Sequence, residues 1–262
     1  MASAAQPVAM PLFYKDLVPL NRGDHGNYRT RTTKKANWLV DTHAIPLTVE
    51  EFPIAQRHFP IVFSAGNEPV PLALMGMNEG VNVFVDQDGT VNSPIYMPAY
   101  VRRYPFMLAK LKPDAQELSL CFDPTSDLVG EYDDGQPLFT DGEPSETCQN
   151  TLKFCENFEL AGKKTANFLQ EIQKQELLID GELKMQMEGR EEPFVYRGFK
   201  IIDEKKMRDL RGDVLRGWSQ SGLLPLIYAH LFSLDLVREI FAKQVKIGKG
   251  PMHDAKTEET AV

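Results

Sequence analysis

From Asn82 to Ala109 the chain reads NVFVDQDGTVNSPIYMPAYVRRYPFMLA, an apolar run, a tight acidic turn and a Tyr/Pro/Arg-dense segment that follow without a break. Val83, Phe84 and Val85 predict a buried strand, and Asp86-Gln87-Asp88-Gly89 ends in a pair that tolerates the positive φ of a hairpin turn, so the chain should reverse there. Residues 95 to 104 alternate, with Ile95, Met97, Ala99, Val101 and Arg103 on one parity and Tyr96, Pro98, Tyr100, Arg102 and Tyr104 on the other. That pattern predicts a strand, at an edge or broken by a bulge, because Pro98 has no N–H for a ladder. Pro105 restricts Tyr104 to an extended conformation. Arg102 and Arg103 beside three tyrosines supply the chemistry of an anion or aromatic-stacking site, since a guanidinium is a fixed fork of donors that also stacks on rings. The competing reading solvates one arginine and uses the other to brace a carboxylate inside the fold.

With 262 residues, 42% of them hydrophobic and 25% charged, the chain has the composition of a globular protein with a sizeable core. A net charge of −8 argues against a non-specific nucleic-acid or anionic-membrane binder, which needs a basic surface to gain from counterion release. The first residues, MASAAQPVAMPLFYKDLVP, carry neither a basic n-region nor a continuous apolar stretch, and no window reaches a membrane span. A cytoplasmic protein without membrane insertion is expected. Cys121, Cys148 and Cys155 lack a C-x-x-C pair; Cys148 and Cys155 would share a helix face, where free cysteines act as small buried hydrophobes.

Taken in order, residues 1 to 11 read as a disordered leader, and a single α+β domain is expected over residues 12 to 243, β-rich to 143 and mainly helical from 144. Residues 21 to 35 form a polar, locally basic loop or edge hairpin, and Thr48 can cap one helical turn. Ile61 to Ser64, Pro71 to Met77 and residues 82 to 86 predict a meander of short strands, a partly open, barrel-like first half, with Leu118 to Phe122 a further strand. Ser145 can cap a long helix reaching about Leu178, with Cys148, Leu152, Cys155, Phe158, Leu169 and Ile172 near a 3.6-residue period. A β-unit from Leu183 to Ile202 turns at Glu188 to Glu192. Asp203 then caps a helix with Met207, Leu210, Val214 and Trp218 on its apolar face, Gly222 ends it, and a closing helix runs from about Leu223 to Lys243. Residues 244 to 262 read as a disordered tail.

Several blocks resemble the SapC family of bacterial proteins: Glu51-Phe52-Pro53, Phe59-Pro60-Ile61-Val62-Phe63, Leu74-Met75-Gly76, Asn82-Val83-Phe84-Val85-Asp86 and, most specifically, Tyr96 to Phe106. Leu138-Phe139, Gly142-Glu143-Pro144-Ser145, Ser221-Gly222-Leu223 and Tyr228-Ala229-His230-Leu231 continue the resemblance over nearly the whole chain. Thr90 departs from it, standing where relatives are expected to carry tryptophan near the glycine. The resemblance implies an accessory role linked to surface layers, outer-membrane uptake or peptide modification, and it brings no catalytic residues.

The residues themselves point to a binding module. Tyr96, Tyr100, Arg102, Arg103 and Tyr104 are the expected contacts for an acidic or aromatic peptide or protein partner, with self-association as a second expected interaction and no cofactor. The alternative is a metal-dependent, non-haem-iron-like modifying enzyme using His25, His43 and His58 with Asp24 or Asp41, although no H-x-D or H-E-x-x-H spacing supports it. A surface-layer subunit assembling through non-closing contacts is the third. Asp86 to Gly89 lacks the glycine and acidic positions of a calcium loop, and His230, beside Ile227 and Leu231, reads as a packed, hydrogen-bonded histidine.

Overall fold

A computed structural model describes residues 10–112, 117–186 and 193–250. Helices and short antiparallel strands in several open sheets make the chain α+β. Two compact units divide it: Met1–Lys34 with Met97–Ala166, and Lys35–Tyr96 with Asn167–Val262.

In the first unit Phe106–Ala109 pairs with Ser119–Phe122, which also pairs with Val18–Pro19. Tyr28–Thr30 lies between Val129–Glu131 and Gln136–Pro137. Ser145 begins the long helix Glu146–Lys174 as expected, its Oγ accepting the Cys148 N–H at 3.2 Å and donating to the Pro137 carbonyl at 2.6 Å. Cys148 and Cys155 face inward from this helix and join Phe106, Leu108, Phe122, Val129 and Leu138 in one buried cluster.

In the second unit a five-stranded sheet has the order Leu178–Asp180, Phe199–Ile202, Ile61–Ser64, Pro71–Leu74, Ala44–Pro46. The expected first-half meander is thus only partly present. Ile61–Ser64 and Pro71–Leu74 pair as predicted, but the flanking positions go to Ala44–Pro46 and to Phe199–Ile202 from the other end of the sequence. Val83 to Val85 are buried without forming a strand; the reversal after them does occur, with Asp86 N–H to Thr90 O at 2.9 Å and Gly89 at φ +82. Thr48 and Glu51 cap each other at the start of Val49–Glu51 and Phe52–Ala55.

Three helical expectations change. Residues 99 to 103 are not strand but the helix Ala99–Arg103: Pro98 sits at its N-terminus, where a missing N–H is no loss, and its carbonyl accepts from Val101 and Arg102 at 3.0 and 3.1 Å. Strand begins only at Phe106, after the extended Tyr104. The helix capped by Asp203 stops at Arg208, and a second, Gly212–Ser221, follows before Gly222 closes it in the left-handed conformation. The closing helix is Leu223–Ser233, a 3-10 turn at Leu234–Leu236, and Val237–Lys246, so it overruns the expected end; buried Gln244 accepts from Met77 N–H at 2.8 Å and donates to the Lys249 carbonyl at 2.8 Å. Leu183–Met185 pairs with Phe194–Tyr196, and the Glu188 to Glu192 turn lies outside the described residues, as do residues 1–9 and 251–262 of the leader and tail.

Candidate functional site

The short helix Ala99–Arg103 decides what its neighbours can do, because residues three apart on a helix share a face. Tyr100 and Arg103 turn inward and are buried, while Arg102 is exposed. Tyr100 donates from its hydroxyl to the Leu12 carbonyl at 3.2 Å, and burial pushes its pKa up. The Arg103 guanidinium lies over the rings of Phe158 at 4.3 Å, Tyr100 at 4.4 Å and Tyr14 at 5.8 Å, with a Glu159 oxygen 3.9 Å from its Nη1. Tyr14 donates to the Phe106 carbonyl at 2.7 Å and is likewise raised by burial. Tyr104, half-buried, meets Tyr14 edge-on at 5.3 Å. Arg103 is therefore the buried brace and Arg102 the surface arginine.

Tyr96 belongs to the second unit, where its hydroxyl donates to Glu51 Oε1 at 3.1 Å. Four of the five residues expected at the partner surface thus stand in the first unit, two of them buried.

An open cleft of about 420 Å³ runs beside Arg102. Arg102, Arg103 and Tyr104 line it together with Arg31 and, from the long helix, Thr147, Asn150, Thr151 and Phe154. Arg102 donates from Nε to the Met97 carbonyl at 3.0 Å, and its guanidinium stands 5.1 Å over the Phe154 ring. Arg31 stacks on Tyr132 with its Cζ 3.5 Å from the ring centre and donates from Nε to Asp134 at 2.7 Å. Both arginines are thereby held in place, which lowers the entropy lost when either binds a ligand. No Asp or Glu is among the described lining residues. Cys155 also lines the cleft, but burial pushes its thiol up to about 12, so it is not poised as a nucleophile.

Sequence reading missed Arg31, Asn150 and Phe154. A signal was present in positions 147, 150, 151 and 154, whose i, i+3, i+4, i+7 spacing places them on one face of a helix. What linked that face to Arg31 and Arg102 was tertiary.

The residues matched by the SapC family model are 20–240, which takes in both units and the whole cleft. The chain belongs to the SapC family. No curated protein and no solved structure matches it.

Of the candidate metal-ligating histidines of this SapC protein, His25 lies in the first unit and His43 and His58 in the second. His25 packs against Tyr28 and Phe122 at 4.8 and 5.1 Å and accepts the Asn21 N–H on Nδ1 at 3.2 Å. In the second unit the His43 carbonyl accepts from Met75 and Gly76, and His58 lies beside Phe59 at 6.0 Å. Among the described residues no group of three or more His, Cys, Asp or Glu side chains could hold a metal ion. Nor is any described helix long and apolar enough to cross a membrane.

Proposed function

We propose that this SapC protein is an accessory binding module that captures an acidic segment of a peptide or protein partner in the Arg102 cleft. The observation that carries the reading is the cleft's charge: three arginines line it and, among the described residues, no Asp or Glu does, the nearest acids being Asp134 on Arg31 and Glu159 3.9 Å from Arg103, in a chain whose net charge is −8. Local charge of sign opposite to the whole concentrates an anionic partner at one place and repels it elsewhere. Arg102 supplies the exposed contact and Arg31 a second, while Arg103 below contributes field from a site with little water to screen it. Phe154 and Tyr104 add ring surface for stacking. The test is partner capture by wild type and by Arg102→Ala, with both proteins melting at the same temperature. Loss of capture in the variant is expected; equal capture by both contradicts the reading.

A further inference from the structure

Resting on the reading of the cleft as the binding surface, we infer that the group it accepts is a carboxylate carried next to an apolar side chain, as at the end of a peptide chain. Charge and apolar surface meet within it. Arg103 is 7% exposed, its Nε–H has no partner, and the Glu159 oxygen facing Nη1 stands at 3.9 Å, beyond the about 2.7 to 2.9 Å of a charge-assisted hydrogen bond. Its charge is therefore incompletely matched where water has been removed, and an anion entering the cleft gains from that field. The Tyr100 and Phe158 rings lie against the guanidinium, so an acceptor approaches its edge, where the fork of donors fits a planar carboxylate. The apolar surface beside it is what sets a carboxylate on an apolar residue apart from a bare phosphate.

Beside this charge lie Phe106, Leu128 and Phe154. Phe106 and Leu128 are buried, and Phe154, half-buried, carries the Arg102 guanidinium over its ring. An anion with no apolar neighbour leaves the open part of the Phe154 ring wet, and an apolar group with no charge gains nothing from the Arg102 guanidinium above it. At about 420 Å³ the cleft is near the small end of ligand pockets, which run from about 300 to 1,000 Å³, and so suits a residue or two rather than a long segment. A terminal carboxylate on an apolar residue meets all three conditions, and capture of a chain end is an established mode of peptide recognition.

Nuclear magnetic resonance of the ¹⁵N-labelled full chain tests this with four probes at matched ionic strength: N-acetylphenylalanine, its amide, succinate and inorganic phosphate. The signals followed are the Arg103 Nε–H and the backbone amides of residues 147 to 155. N-acetylphenylalanine is expected to give saturable shifts, with apparent affinity at least tenfold weaker for the amide, for succinate and for phosphate. Arg102→Gln should weaken the response to N-acetylphenylalanine several-fold without altering the melting temperature, and Phe154→Ala should weaken it similarly while lowering the melting temperature, because the half-buried ring also packs in the fold. Equal response to phosphate or succinate would make the cleft an unselective anion trap, and equal response to the amide an apolar slot; either overturns the inference, as does the absence of saturable shifts. A partner captured through Arg102 but not displaced by excess N-acetylphenylalanine would overturn this inference while leaving the binding-module reading intact.

Discussion

The imidazole of His230 takes the place of a missing rung between Ile61 and Ile202. Pairing of Ile61–Ser64 with Phe199–Ile202 is recorded at Phe63 with Lys200 and Ser64 with Phe199. Further along, His230 Nε2 accepts the Ile202 N–H at 3.1 Å, and Nδ1 lies 2.8 Å from the Ile61 carbonyl. Because Nε2 faces a donor, Nδ1 must carry the proton, so the ring is held neutral and in one tautomer. Ser233, one turn on, accepts the Ile61 N–H at 2.8 Å, which fastens the helix Leu223–Ser233 to this strand.

Acid should loosen that join. Burial lowers the His230 pKa to about 4, outweighing the opposing effect of its bond to Ile61. The folded value lies below the unfolded value of about 6.5. The contribution is therefore intact above pH about 6.5 and is lost as pH falls from there toward 4, because the unfolded chain takes up a proton that the native one refuses. The loss amounts to roughly 3 kcal/mol by the acid end of that window. Urea unfolding at pH 7 and pH 4.5 checks it: wild type should lose more stability over this interval than His230→Gln, which is less stable at pH 7 but lacks the titration.

Arg102 and Arg103 should behave as opposites. Arg103→Ala removes three ring contacts and leaves a void among Tyr14, Tyr100 and Phe158, costing roughly 2 to 4 kcal/mol. Arg103→Met, which keeps much of the packed volume, should cost less. Arg102→Ala, at an exposed position, should change stability by no more than about 0.5 kcal/mol. Thermal and denaturant melts of the three variants give the ranking.

At the start of the long helix, Ser145→Ala deletes an acceptor for the Cys148 N–H and a donor to the Pro137 carbonyl. Loss of an N-cap costs about 1 kcal/mol, and the orphaned carbonyl adds to it. Ser145→Asp should recover the cap but not the donor, and so fall between wild type and alanine in denaturant midpoint.

Gly89 is needed for two reasons at once. Its φ is +82, and a Cβ placed there would come within 2.0 Å of Asn37 Oδ1. Gly89→Ala should cost roughly 2 to 4 kcal/mol, the left-handed penalty together with overpacking. Asn37→Ala in the same chain should recover part of that loss, since it removes the side-chain clash but neither the 3.0 Å approach to the residue 37 backbone nitrogen nor the φ strain.

Much of this architecture is legible in the residues because local chemistry and final structure agree. Ser145, Asp203 and Gly222 mark helix ends by side-chain capping or by freedom of φ, and the Asp86 to Gly89 reversal is written in one dipeptide. Elsewhere two local rules compete. Alternation from Ile95 to Tyr104 suits a strand, yet Pro98 is also a helix starter, and the inward packing of Tyr100 and Arg103 decides for helix. Sheet order was not legible, because the neighbour of Ile61–Ser64 is Phe199–Ile202, more than a hundred residues away, and no local pattern encodes such a pairing. For the cleft, the sequence pointed to the arginine pair but could not say which member faces solvent, and Arg31 directly follows a strand, Tyr28–Thr30, whose own pattern is too short to read.

The most direct measurement places a photo-crosslinking benzoylphenylalanine at position Asn150, in the cleft, and in a second protein at Tyr228, on an exposed helix face of the second unit. The proteins are irradiated in their native cells. The expected result is a discrete adduct from position 150 that disappears when Arg102→Ala is added and has no counterpart from position 228. An adduct that survives Arg102→Ala undiminished, or one that forms only from position 228, would contradict partner capture in the arginine cleft.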